Sequence, residues 1–286
     1  MQLIRKASLL IVLAVMTSAV SAAVIGPGYT QNFNAMGTGT AYLDGWAGFS
    51  VAGSHDLFTP SDDVAPVVTT VGLPTGAAII TAGTTAVTTL TAATPGTQKD
   101  STIYNWAVGG SATERSLGTS PSGIAGSLLQ LTLTNNQAGP ITDLSISYDT
   151  RVFTTTVLNN SSYSADTAYA NGTIEELPGY WLFYSLNNGS TWTNVSALNP
   201  NGHTWANSIG TVNESIADLT LSSPWAAGST IKFWWFDDNA QGPSPDQLIG
   251  LDNVVITPVS PAPEPASLVI CALGGLGLFT RRRTLR

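Results

Sequence analysis

The sequence has almost no cysteine or histidine, and charged residues make up only 10% of it. The single cysteine, Cys271, cannot form a disulfide within the chain. Zinc sites built from four cysteines, or from two cysteines and two histidines, are excluded by the same count. His55 and His203 are far apart and belong to no HExxH motif, so we interpret both as loop residues. Neither lies near a G-x-S-x-G elbow, which disfavours Ser-His-Asp catalysis.

Basic residues are scarce in the central part of the chain. Between residues 23 and 260 there are four basic and seventeen acidic residues, a net charge of −13. Nucleic-acid binding needs clustered Lys and Arg to neutralise phosphates, so this composition argues against nucleic acid as a partner. Walker and Rossmann glycine motifs are also absent. This acidic central segment, called the body below, is compatible with divalent cations as binding partners.

Apolar residues and tryptophan, by contrast, are abundant. Hydrophobic residues make up 43% of the chain, and eight residues are Trp. Disordered chains share the richness in Gly and Ser but lack this apolar content. The composition therefore predicts a packed, Thr-rich β protein.

Alternation of apolar and polar residues marks two strands in the middle of the chain. In SLLQLTLTNN the leucines between 129 and 133 alternate with polar residues, and ITDLSISYDT repeats the pattern between Leu144 and Tyr148. A period of two is that of a half-buried strand. The intervening NNQAGP is a turn cluster, so we predict that the two strands pair antiparallel.

Further strand signals recur towards the C-terminus. GYWLFYSLNNGSTWTNVSAL reads as a hairpin around Asn187-Asn188-Gly189. STIKFWWFDD is apolar on both faces, which predicts a central or covered strand, and IGLDNVVITPV is a last strand. No stretch of the body shows a convincing helical period. The predicted fold class is all-β: an antiparallel β-sandwich, jelly-roll-like, over residues 23–258, with 69–96 as a Thr-rich insertion or edge region.

The N-terminal segment has the layout of a secretory signal peptide. Arg5 and Lys6 precede an apolar stretch from Leu9 to Met16, and Val20-Ser21-Ala22 provides small residues for cleavage. We expect residues 1–22 to form the signal-peptide helix and to be removed by signal peptidase. The apolar stretch is too short for a lasting membrane anchor.

The C-terminal segment combines prolines, an apolar stretch and arginines. Residues 259–265 are a Pro-rich linker, which is extended because proline fixes φ and lacks an amide donor. Residues 266–280 carry no charge and predict a short transmembrane helix of about 22 Å. The arginines that follow are expected on the cytoplasmic side of the membrane.

Residues 263–286 closely resemble the PEP-CTERM sorting signal of Gram-negative bacteria, a tail that is sometimes labelled after an ice-binding protein. The matching residues are Pro263, Glu264 and Pro265, the apolar segment, and Arg281, Arg282 and Arg283. The resemblance implies processing by an exosortase, a membrane cysteine transpeptidase. It also implies export through the inner membrane, transient anchoring there by the C-terminal helix with a cytoplasmic C-terminus, and delivery to the cell surface or the extracellular matrix. Proteins with this tail are typically linked to exopolysaccharide and biofilm.

The body is similar, more loosely, to an extracellular sandwich domain common among PEP-CTERM proteins. The similarity begins at YTQNFNAMGTGTAYLDGWAGF and continues through a turn at Glu114–Gly118. Where that domain often has EQWR this chain has DTRVF, so Arg151 alone corresponds. No enzymatic activity follows from this resemblance.

Acidic residues near the C-terminal strands form one candidate site. Carboxylate and amide oxygens suit Ca²⁺, and several such groups surround the loop in WWFDDNAQGPSPDQLIGLD. The EF-hand pattern is missing, and solvated turn acids are the alternative interpretation. The candidate calcium ligands are Asp237, Asp238, Asn239, Asp246 and Asp252.

Tryptophans form the second candidate site, because an indole offers a wide apolar surface on which a sugar ring can stack. Alternation within Phe233–Phe236 sends two rings to each face of the strand, so at least one pair should belong to the core. The candidate stacking residues are Trp181, Trp192, Trp234 and Trp235.

Three functional hypotheses follow. The first is a non-catalytic structural or adhesive protein of the surface or matrix, without a cofactor unless calcium binds. The second is a carbohydrate-binding module with exopolysaccharide as partner, and the third is a polysaccharide hydrolase. Glu175 and Glu176 would point to opposite faces of a strand and cannot converge as a glycosidase pair unless they lie in a loop. We therefore expect no enzymatic activity.

Overall fold

The structure is a computed structural model, and it describes residues 22–53, 74–98, 100–154, 179–200, 209–239 and 248–259. The predicted signal peptide, apart from Ala22, and the C-terminal segment from residue 260 onwards lie outside these ranges. In the described part of the chain, no helix is long and apolar enough to cross a membrane.

The described residues form one short α-helix, α1 (Gly76–Ala82), three 3-10 helices of three residues each, and fourteen strands. The strands are β1 (Ala23–Ile25), β2 (Tyr29–Gln31), β3 (Trp46–Val51), β4 (Thr84–Val87), β5 (Thr91–Ala93), β6 (Tyr104–Ala107), β7 (Arg115–Thr119), β8 (Gly126–Asn135), β9 (Ile141–Val152), β10 (Trp181–Ser185), β11 (Thr193–Asn194), β12 (Gly210–Trp225), β13 (Thr230–Asp238) and β14 (Ile249–Pro258).

Two mixed, mainly antiparallel sheets of seven strands each make up the described part of the molecule. Sheet 1 has the order β11-β10-β13-β8-β3-β4, and β1 pairs in parallel with the end of β8. Sheet 2 has the order β12-β9-β14-β7-β6-β5, and β2 pairs with β14. From β7 onwards, successive strands along the chain alternate between sheet 2 and sheet 1, except that β10 and β11 both belong to sheet 1. The predicted all-β sandwich is confirmed, with this jelly-roll-like alternation between sheets.

The main hydrophobic core lies between the two sheets and follows the predicted alternation. Leu129, Leu131 and Leu133 of β8 are buried there, together with Leu144 and Ile146 of β9. Phe233 and Trp235 of β13 point into the same core. A period of two thus assigned the inward residues of each strand correctly.

The predicted pairing of β8 with β9 is wrong. β8 lies between β13 and β3 in sheet 1, whereas β9 lies between β12 and β14 in sheet 2. The NNQAGP segment therefore crosses from one sheet to the other instead of closing a hairpin. Both strands present their apolar residues to one core from opposite sides, and alternation alone does not distinguish this from pairing.

The segment Glu114–Gly118, expected as a turn, is mostly strand. β7 begins at Arg115, and its residues are buried between β14 and β6. The hairpin around Asn187–Gly189 is confirmed, because β10 and β11 pair antiparallel and Asn188 and Gly189 both have positive φ. β13 is central in sheet 1, as its two apolar faces predicted.

The Thr-rich region contributes an edge strand to each sheet and a helix that the sequence did not indicate. β4 ends the order of sheet 1 and β5 ends that of sheet 2. The helix α1 begins at an N-cap, Thr75, whose side chain accepts a hydrogen bond from the Ala78 amide at 3.1 Å. Its seven residues are too few for a helical period to stand out in the sequence.

Candidate functional site

Sheet 1 carries a second hydrophobic cluster on the face turned away from the main core. It contains Trp181, Trp234 and Phe236, and Ile79 of α1 packs on it. The helix therefore covers part of a sheet face that would otherwise expose large apolar side chains. The four aromatic residues of β13 divide as alternation predicted, with two rings in each cluster.

The four candidate stacking tryptophans occupy different environments. Trp181 and Trp235 are 2% and 0% exposed, so neither can present a ring to a ligand. That part of the prediction is wrong, because both side chains are needed to fill a core. Trp234 is 7% exposed, and Trp192 is half-buried.

Trp192 and Trp234 stack on each other on the outer face of sheet 1. Their ring centroids are 3.5 Å apart and the ring planes differ by 17°. Both indole N–H groups have partners: Trp234 Nε1 donates to Gln130 Oε1 at 2.9 Å, and Trp192 Nε1 donates to the Gly189 carbonyl at 3.1 Å. The pair therefore offers apolar ring surface, and hydrogen bonds to a ligand have to come from neighbouring groups.

Two glycines allow Trp192 to adopt this position. A Cβ placed on Gly76, the first residue of α1, would lie 2.3 Å from the Trp192 Cβ. Gly189 has a φ of +91°, and a Cβ there would lie 3.4 Å from the indole ring. The start of α1 and the turn after β10 thus enclose Trp192 from two sides, which fixes the orientation of its ring.

The stacked pair lines a groove of about 310 Å³. Phe49 and the 45%-exposed side chain of Ile80 add apolar surface to it. We call this feature the Trp192 groove, and its lining residues are Phe49, Ile80, Thr84, Gln130, Asn188, Gly189, Trp192, Lys232 and Trp234. Its volume is at the low end of the roughly 300–1,000 Å³ common for ligand pockets, and it combines apolar walls with a few polar groups.

Polar groups of the Trp192 groove come from the sheet and from the turn. Gln130 lies opposite Trp234 in the register of β8 and β13. Lys232, two residues before Trp234, shares its face of the strand, and its Nζ donates to the Asn188 carbonyl at 3.4 Å. Partial burial lowers the pKa of Lys232 from its ordinary value.

Sequence reasoning did not identify Gln130, Lys232, Phe49 or Ile80 as site residues. They come from four separate segments that meet only when sheet 1 is assembled. The sequence did contain one local signal of the site. Gln130 in SLLQLTL and Lys232 in TIKFWWF are polar residues on strand faces that also carry apolar residues. A polar residue on an apolar strand face indicates a place where that face meets solvent or a ligand.

The candidate calcium ligands are not gathered into one cluster by the described residues. Asp237 and Asp238 end β13 in sheet 1, followed by Asn239, and all three are buried. Asp252 lies in β14 of sheet 2, and Asp246 is outside the described ranges. Within the described part of the chain, no group of three or more His, Cys, Asp or Glu residues is arranged to hold a metal ion.

Asp252 instead forms an ion pair with Arg151. The guanidinium donates through Nε and Nη2 to Asp252 Oδ2, at 3.0 and 2.7 Å. Glu114 and Asp149 also lie within 4 Å of Arg151 Nη2. Burial raises the pKa of Asp252 above its ordinary value, although the Arg151 hydrogen bonds act in the opposite direction. Arg151 thus joins β9 to β14.

The remaining candidate residues lie outside the described ranges. They are the sorting residues Pro263, Glu264, Pro265, Arg281, Arg282 and Arg283, the histidines His55 and His203, and the acids Glu175 and Glu176.

Comparisons with known proteins give little further information. No family model matches the sequence, and no curated protein matches it. Among solved structures, the chain is similar to TmCBM61 in complex with β-1,4-galactotriose, with a TM-score of 0.28 and 10% sequence identity. The match covers 51% of this chain and 72% of that one. A similarity of this extent does not bear on function.

Proposed function

We propose that this protein is an exported, non-catalytic adhesive protein of the cell surface or extracellular matrix whose β-sandwich binds polysaccharide in the Trp192 groove. The observation that carries the proposal is the stacked pair of Trp192 and Trp234, which lines a groove beside Gln130 and Lys232. Sugar rings have apolar C–H faces and a rim of hydroxyl groups, so they match aromatic surface bordered by hydrogen-bonding groups.

The export and sorting part of the proposal is supported by the sequence pattern. Residues 1–22 have the features of a signal peptide, and residues 263–286 those of the PEP-CTERM signal. In this account the sorting tail delivers the sandwich to the outside of the cell, where polysaccharide is available to it.

Retention on immobilised exopolysaccharide of the producing strain tests the proposal. We expect Trp192→Ala to weaken retention of the full chain at least tenfold, since loss of an aromatic stacking partner removes the largest apolar contact of the groove. The matched control is Ile209→Ala, which removes a 69%-exposed apolar side chain that does not line the groove. Equal retention of wild type and the Trp192 variant would contradict the proposal, provided that circular dichroism shows both to be folded.

A further inference from the structure

Among the described residues that line the Trp192 groove none is acidic, although the body is strongly acidic. Seventeen acidic residues lie between residues 23 and 260, yet none of the groove-lining residues is Asp or Glu. Lys232 is the one charged residue among the described lining residues. The charge that the described residues bring to the groove is therefore opposite in sign to that of the body as a whole.

The other basic residues of the described chain are already engaged. Arg115 is 3% exposed, and its guanidinium donates to the Asn105 side chain and carbonyl at 2.7 Å each. Arg151 is surrounded by Glu114, Asp149 and Asp252. Neither guanidinium can give up these contacts to a ligand without leaving buried polar groups behind.

Lys232, by contrast, has no carboxylate partner among the described residues. Its contact is with the Asn188 carbonyl at 3.4 Å, which uses one of the three N–H donors of an ammonium group. The side chain is half-buried and lies on the same strand face as Trp234, two residues away. A ligand held against the stacked pair would thus meet a cation with donors to spare.

We infer that the Trp192 groove selects acidic polysaccharides, in which a sugar carboxylate accepts a hydrogen bond from the Lys232 ammonium while its ring packs against the Trp192 indole, which stacks on Trp234. The ligand class is a uronic-acid-containing polymer. This inference rests on the proposed function and narrows its substrate. A charge-assisted hydrogen bond in a partly desolvated groove distinguishes a carboxylate from the neutral hydroxymethyl group in the same position.

The test compares one polymer in two chemical states. Polygalacturonate and its carboxyl-reduced derivative share one backbone and differ in the charge on each sugar. We expect the full chain to bind polygalacturonate about tenfold more tightly than the reduced polymer at low salt, and the preference to shrink at about 0.5 M salt. Equal affinity for the two polymers would overturn the inference.

Variants of Lys232 test whether this residue causes the preference for the charged polymer. Lys232→Gln should bind the charged and the reduced polymer with similar affinity, whereas Lys232→Arg should keep most of the preference for the charged polymer. Lys99→Gln removes the same charge from another position in the body and should change neither affinity. If the preference for the charged polymer survives Lys232→Gln, Lys232 is not its cause and the inference is overturned.

Two further comparisons test for calcium bridging and distinguish failure of the proposed function from failure of the inference. Calcium could bridge a uronate to the acidic body, so the titration is repeated in EDTA, and a preference that disappears there would contradict a direct contact with Lys232. If neither polymer binds and Trp192→Ala changes nothing, the proposed function itself fails. If both polymers bind equally through Trp192, only the inference about acidic sugars fails.

Discussion

Glu214 of β12 is a half-buried carboxylate that faces Tyr148 of β9 in the register of sheet 2. Among the described residues it has neither a hydrogen bond nor an ion pair. Burial raises its pKa above the ordinary value, so the folded chain holds the proton more tightly than the unfolded chain does. Stability therefore falls as the pH rises through the interval between the unfolded and the folded pKa.

Glu214→Gln should consequently stabilise the protein at neutral pH. We expect a gain of about 0.5 kcal/mol in the free energy of unfolding at pH 7, measured by urea denaturation. The gain should vanish near pH 3.5, where the Glu214 carboxyl of the wild-type protein is largely protonated in both the folded and the unfolded state. Asp218→Asn, at an exposed neighbouring position, removes the same charge and serves as the control. A gain that persists unchanged at the low pH would show that the charge is not its cause.

At the scale of elements, α1 and the turn after β10 decide where Trp192 lies. Gly76→Ala would normally favour a helix, because alanine has the higher helix propensity. Here the added Cβ would lie 2.3 Å from the Trp192 Cβ, so either the helix or the indole must move. Steric conflict should outweigh the gain in propensity.

We therefore expect Gly76→Ala to lower the free energy of unfolding by about 1–3 kcal/mol and to weaken polysaccharide binding. Gly139→Ala is the matched control, because a Cβ there meets nothing within 4 Å. Urea denaturation and retention on the polysaccharide measure the two effects. Unchanged stability and retention in the Gly76 variant would mean that α1 does not hold the tryptophan in place.

The sequence predicted those features of a strand that depend on its own residues, namely the alternation of apolar and polar side chains. Alternation assigned the inward residues of β8 and β9 and divided the rings of Phe233–Phe236 between two faces. It could not assign strand neighbours, so β8 and β9 were wrongly paired with each other. Nor could it find the Trp192 groove, whose residues approach one another only through the order β10-β13-β8-β3 in sheet 1.

Tryptophan composition was a correct but incomplete guide to the site. The sequence pointed to four indoles, and packing leaves only Trp192 substantially accessible, with Trp234 beneath it. Trp181 and Trp235 serve the two cores instead. Whether a ring fills a core or lines a groove depends on what covers the strand, and α1 has no visible signature in the sequence.

At the scale of the whole molecule, the proposed function requires the two terminal segments to direct export of the β-sandwich. The intact mass of the protein from culture supernatant and from membranes tests the sorting part. We expect the released protein to lack residues 1–22 and to end near Pro263–Pro265, because an exosortase would cut at that motif. A mass that still ends at Arg286, found in membranes alone, would make the tail a permanent anchor and contradict the sorting proposal.

The central claim is that polysaccharide binds at the Trp192 groove, and the indole N–H resonances of the exported protein test it most directly. The chain has eight tryptophans, and Trp192→Phe and Trp234→Phe assign the two resonances of the groove by their loss. On titration with oligosaccharides of the producing strain's exopolysaccharide, we expect selective shifts of the Trp192 and Trp234 signals, with the other indole signals unchanged. Shifts confined to other tryptophans, or no shifts at all, would contradict the claim.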